Sequence, residues 1–201
     1  MENEENRLKG KKNQFYRLLI SFNDFKEALD IARIIFDKNN IDIEINTEKR
    51  KIDILTKEAL SSALIVAYSR PFSGNDKSSK NSIPDLNKNV IKILNTNEKE
   101  LHNSLIKLRN KAIAHSDSDI IDIKPYYMSV NNKKLDLLIP LRNKTRLTFS
   151  NEMLLNIEMI CSKLLGEIDK RRRILEKELE NFIPIKEIGV DNFDFPFNIE
   201  S

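Results

Sequence analysis

The chain has 201 residues, 40% of them hydrophobic and 32% charged, with a formal net charge of +3, which is one domain's length of chain with enough apolar matter for a core. So small a net charge excludes a strongly basic coat, although not local basic patches. Four glycines and six prolines argue against a turn-rich sandwich or barrel, and neither GxGxxG nor GxxxxGK[ST] occurs, which argues against a Gly-rich phosphate loop. The single cysteine, Cys161, excludes an internal disulfide and a cysteine-based zinc site. The polar start, MENEENRLKGKK, lacks the apolar stretch of a signal peptide, and no run is long enough to span a membrane. A cytoplasmic protein with no membrane partner is the expectation.

Residues 1–12 read as a polar N-terminal segment. Over 13–38 the apolar positions Phe15, Leu18, Phe22, Phe25, Leu29, Ala32 and Phe36 step by three and four, one face of a helix. Ser21, Asn23 and Asp24 are cap-type residues inside that run, so a break there would leave 14–20 extended. From 41 to 54 the isoleucines Ile41, Ile43, Ile45, Ile52 and Ile54 alternate with polar residues around Thr47-Glu48-Lys49-Arg50, the pattern of a short hairpin. A second helix is predicted from Thr56 to Arg70, stopped by Pro71, and 71–84 reads as a solvated loop.

The next helix is predicted to begin near Asn97, with Glu100 completing a capping box and Leu101, Leu105, Leu108 and Ala112 as its buried stripe. Residues 119–148 hold Tyr126, Tyr127 and Val130 and a turn at Asn131-Asn132-Lys133-Lys134, and read as a β insertion. Ser150 caps a last long helix to about Glu180, striped by Leu154, Ile157, Cys161, Leu164, Ile168, Leu175 and Leu179. The tail, 181–201, has no helical period and reads as an extended strap or a partly disordered segment. The expected fold is all-α: a four-helix bundle over 13–180 with a small β-hairpin insertion.

The chemistry concentrates in residues 108–117, LRNKAIAHSD. A ribonuclease that uses the RNA 2′-hydroxyl as nucleophile needs a base, an acid and a cation to hold the crowded phosphate. Histidine suits proton transfer near neutral pH. Arginine suits the phosphate, because its planar fork matches two oxygens and keeps its charge. Arg109 and His115 lie six residues apart, roughly 120° of rotation and about 9 Å of rise on an ideal helix, so unwinding after Ala114 would let both meet one ligand. The only other histidine, His102, lies roughly 20 Å away along a continuous helix. A two-histidine mechanism therefore takes His115 from each of two chains. A single-histidine mechanism, with Arg109 or water as second partner, is the other route. The structural alternative is an Arg109–Asp117 ion pair with His115 capping the helix end.

This stretch resembles the signature of the HEPN superfamily: arginine, often a polar residue, then about four to six residues and a histidine. Five residues separate Arg109 from His115 here, and Asn110 takes the polar position. The form LRNK-x-x-AHSD is similar to a subset associated with abortive infection and toxin–antitoxin systems. The resemblance implies an α-helical bundle, a homodimer paired across the motif and metal-independent RNA endonuclease activity without a cofactor. His115 would then be the general acid or base, Arg109 the phosphate clamp and Asn110 an orienting partner. An antitoxin or another defence-system protein is the implied protein partner. The alternative within the same family is a non-catalytic module that binds a nucleotide, RNA or a protein. In toxins silenced by an adenylating antitoxin, a tyrosine stands two residues after the histidine. Asp117 stands there in this chain, so that form of control is not expected.

Around the motif, Arg70, Lys111, Asp117 and His102 are the candidate RNA contacts. For Arg70-Pro71-Phe72 the plainer reading is a helix stop with a packed phenylalanine, and for His102 an ordinary helix histidine. The basic run Lys170-Arg171-Arg172-Arg173 and the cations Arg142, Lys144 and Arg146 could grip phosphates but more simply solvate a surface. Tyr126 and Tyr127 could stack bases or pack as strand residues. Cys161 reads as core packing. No HExxH or clustered His/Asp pattern suggests a metal.

Overall fold

The computed structural model describes residues 2–40, 47–73, 83–110, 121–130, 133–144 and 147–183, with side chains outside the two strands. Helix α1 runs from Glu2 to Asn39 without interruption. It starts well before residue 13 and does not break at Ser21–Asp24. Ser21 and Asp24 are buried rather than capping. They fall between Leu18 and Phe25, whose side chains join one core cluster with α2 and α4. Burying each such side chain contributes roughly 1.5–3 kcal/mol, which outweighs the weak local preference of Ser, Asn and Asp for a helix end.

Helix α2 (Thr47–Ser69) replaces much of the predicted hairpin. Ile52 and Ile54 belong to this helix, and Ile41, Ile43 and Ile45 lie outside the described residues. The alternation was misleading because its second half is two isoleucines, too few to define a period. The same stretch carries an i,i+4 pair, Asp53 with Lys57 at 2.9 Å, that supports a helix. Ile52 is 64% exposed, so its apolar character marks no core face. Leu64, Ile65, Ala67 and Tyr68 are fully buried apolar residues nearer the C-terminus of α2, followed by the buried Ser69. A 3-10 turn, Arg70–Phe72, follows directly and seats Pro71 at its start, where its missing N–H costs nothing.

Residues 83–95 lead into the next helix, held to α1 through Arg17 and to the last helix through Arg171. Leu86 N–H donates to the Pro71 carbonyl at 2.7 Å, and the buried Arg17 donates to the carbonyls of Ile83 and Pro84. A second 3-10 turn, Lys88–Ile93, inserts Val90 into the core. Helix α3 (Thr96–Leu108) has its capping box two residues before the predicted one, at Asn95 and Glu98. Asn95 Oδ1 accepts from Glu98 N–H and Glu98 Oε2 accepts from Asn95 N–H, both at 2.9 Å. This reciprocal pair satisfies two donors that a helix start otherwise leaves open.

Helix α4 (Asn151–Leu179) is capped by Ser150 Oγ, which accepts from Met153 N–H at 3.2 Å. It lies antiparallel to α1. Lys11 pairs with Glu178 at one end and Arg33 with Glu158 at the other, 22 residues apart on α1 and 20 on α4. Its stripe of Leu154, Ile157, Ile160, Cys161, Leu164 and Ile168 is buried to 1% exposure or less. The backbone of β1 (Ile121–Val130) pairs antiparallel with β2 (Lys133–Lys144), Ile121 opposite Lys144, with a shift of register between Tyr127 and Ser129. The architecture is of the all-α class, with helices supplying almost all of the core.

Candidate functional site

Helix α3 carries the residues of interest at its C-terminal end, and three contacts fix the helix before it reaches them. Its first turn is tied to α4 by Glu98 and Lys163, 2.5 Å apart. That ammonium group and the Asn95 N–H hold the Glu98 carboxyl below its ordinary range. One turn further, His102 is 5% exposed and its Nδ1 lies 2.9 Å from the Tyr68 hydroxyl of α2. Next comes Leu105, with no exposed surface.

At the end of the helix, the Arg109 N–H donates to the carbonyls of Leu105 and Ile106, so the backbone is still helical there. Arg109 as a residue is half-buried and Asn110 is exposed. Nη1 of Arg109 donates to Asn110 Oδ1 at 3.1 Å. Among the described residues this bond takes one of the five guanidinium N–H groups, and the planar fork of an arginine is suited to an anion. His115, Lys111 and Asp117 lie outside the described residues, and so does the distance from Arg109 to His115.

The two remaining sequence candidates are engaged elsewhere. His102 was expected among the RNA contacts, but its ring sits in an aromatic pocket. Phe72 meets it edge-on at 4.7 Å between ring centroids and Tyr68 at 5.8 Å. Burial pushes its imidazole below the usual histidine value, favouring the neutral form. A ring 5% exposed and faced by two aromatics presents little surface to a phosphate, and its contacts with Tyr68 and Phe72 tie α3 to α2 and its terminal turn. Arg70 is half exposed, yet Nη1 lies 2.7 Å from Glu27 and 3.2 Å from Asp24 of α1. Burial raises the Asp24 carboxyl above its ordinary range, and Arg70 opposes that rise. Arg70 therefore offsets the charge of Asp24 and Glu27 on α1. Phe72 does pack, against Phe25, Tyr68 and His102.

The basic run on α4 is largely spent within its own helix. Arg171 pairs with Glu167, Arg172 with Asp169 and Glu176, and Arg173 with Asp169. Cys161 is fully buried, with its thiol pushed up to about 12, which makes it inert as a nucleophile. Among the described residues, no group of three His, Cys, Asp or Glu could hold a metal ion. No described helix is long and apolar enough to cross a membrane. A cavity of about 600 Å³, lined in part by Asn95, Glu98, Leu101, Met153 and Met159, lies at the start of α3, the far end of the helix from Arg109.

Sequence reasoning missed Tyr68, Asp24 and the Glu98–Lys163 pair. Tyr68 follows a fully apolar run and gave no polar signal. Glu98 would have been found by testing the box two residues earlier, Asn95 with Glu98. No protein-family model, curated protein or solved structure matches this chain.

Proposed function

We propose that this chain is a HEPN-like, metal-independent RNA endonuclease of a toxin–antitoxin or phage-defence system, working as a homodimer with its site shared between the two copies. The observation that carries the reading is the run Arg109-Asn110 to His115, with Arg109 half-buried and tethered by Asn110 at the end of an anchored helix. In this mechanism the RNA 2′-oxygen attacks the adjacent phosphorus and its proton passes to a base. The bond from phosphorus to the 5′-oxygen breaks, and that oxygen takes a proton from an acid. His115 of one copy and His115 of the other fill these two roles. Arg109 holds the phosphate oxygens while charge builds on them.

The test is cleavage of labelled RNA by purified protein in EDTA. Wild type is expected to cut, because Arg109 supplies the charge stabilisation that a metal would otherwise supply. His115→Ala is expected to lower the rate by roughly 10²–10⁴-fold with little change in RNA affinity. Arg109→Ala should lower both rate and affinity, and Arg109→Lys should not restore full rate, since lysine lacks the fork. Cleavage that disappears in EDTA and returns with magnesium refutes the mechanism. Equal cutting by wild type and His115→Ala, or binding without cutting, makes the non-catalytic module the better reading.

A further inference from the structure

Helix α1 turns one face to the core, and among the described residues nothing packs over the large apolar side chains of the opposite face. Lys9, Tyr16, Leu19, Ile20, Asn23, Glu27 and Asp30 are exposed there, with Lys12 half-buried among them. These positions recur every three or four residues, so they form one stripe along the helix. Tyr16, Leu19 and Ile20 are 41%, 36% and 41% exposed, a cluster of three large apolar side chains pointing away from the bundle. Before that cluster the stripe is basic, at Lys9 and Lys12. After it the stripe is acidic, at Asp30 and at Glu27, whose carboxylate also holds Arg70 of the same chain at 2.7 Å, so Asp30 is the acid with no such pair among the described residues.

This order is self-complementary. Two copies of α1 laid antiparallel about a two-fold axis between residues 19 and 20 bring Leu19 opposite Ile20 of the second copy and Tyr16 opposite its Asn23. The same register brings Lys12 opposite Glu27 of the second copy and Lys9 opposite its Asp30. All four pairs fall in one register, each occurs twice, and the signs match at both ends. A partner other than a second copy has no need of charges placed symmetrically about an apolar centre, whereas an isologous interface requires it. The 3–4 spacing is also that of helices packed side by side at a shallow angle. We propose that the outward stripe of α1 is a homotypic interface, occupied by the same stripe of a second copy in antiparallel register. It does not rest on the nuclease reading, which pairs the copies through α3.

The experiment is the solution mass of the full chain by sedimentation or light scattering at micromolar concentration, with circular dichroism as the folding control. Ile20→Glu puts two charges at the apolar centre and is expected to halve the mass of the wild-type assembly. Lys9→Glu replaces two attractions by two repulsions and should weaken association roughly tenfold, taking the usual strength of exposed pairs. Adding Asp30→Lys to Lys9→Glu restores opposite signs across the axis and should restore the affinity. If Ile20→Glu disturbs folding, the charge swap and its rescue decide alone. Monomeric wild type, an Ile20→Glu protein of undiminished mass, or a swap without rescue overturns the proposal. The mass left after Ile20→Glu reports separately on the motif pairing: a dimer if the copies also meet through α3, a monomer if they do not.

Discussion

The Tyr68–His102 contact gives the sharpest test of how α3 is held. Tyr68 is fully buried, its phenol is pushed well above 10 by that burial, and its hydroxyl lies 2.9 Å from His102 Nδ1. Tyr68→Phe removes the oxygen and keeps the ring, so its edge contacts with Phe25 at 5.6 Å and His102 at 5.8 Å survive. What is lost is one hydrogen bond in an apolar pocket, with the imidazole nitrogen left without its partner. Such an orphan costs about 1–3 kcal/mol. For a chain of this size that is a fall in Tm of roughly 2–10 °C. His102→Leu alone strands the hydroxyl at a similar cost. The double variant Tyr68→Phe/His102→Leu leaves neither group unsatisfied, so its loss should be smaller than the sum of the two singles. Urea denaturation of the four proteins, followed by circular dichroism, measures all three differences. A Tyr68→Phe protein with unchanged stability, or a double variant that loses the full sum, refutes the buried bond as the lock on α3.

The same histidine sets a pH dependence. Its folded-state value is depressed below the ordinary 6.5 by burial, so the unfolded chain binds the proton first. The stabilising effect of the neutral ring is present above 6.5 and is lost as pH falls from there through the folded-state value, a slope that His102→Leu should remove. Glu98→Gln keeps an amide oxygen for the Asn95 N–H but loses the charged pair with Lys163, and should lower stability by about 1 kcal/mol; because the Glu98 carboxyl lies below its ordinary 4.5, that contribution is present above 4.5 and fades as pH drops through the folded value. Leu105→Ala, at a position with no exposed surface one turn before Arg109, should cost roughly 2–5 kcal/mol by denaturant titration. In the nuclease assay Arg70→Ala should change RNA cleavage little, since Arg70 is paired with Asp24 and Glu27; a large loss there would give Arg70 a direct part in RNA binding.

Local chemistry was legible along the chain wherever it was strong. The stripe on α4 and its Ser150 cap could be read directly, because a period sustained over many residues and a cap at its head agree with one another. Cys161 as core packing followed from the same stripe. The all-α class followed from long periodic segments with few glycines and prolines. The motif itself, Arg109 through His115, is a property of the sequence alone.

Tertiary structure decided the rest, for reasons that lie outside any local window. Whether α1 breaks at Ser21–Asp24 depends on the return along α4, pinned by Lys11–Glu178 and Arg33–Glu158, partners more than a hundred residues away. Whether His102 meets solvent or an aromatic pocket depends on where Tyr68 and Phe72 arrive from α2 and its terminal turn. Arg70 looked free as a helix-ending cation until α1 brought Asp24 and Glu27 against it. A helix period says which residues share a face, but burial and pairing depend on what packs against that face, and that is set only when distant segments meet.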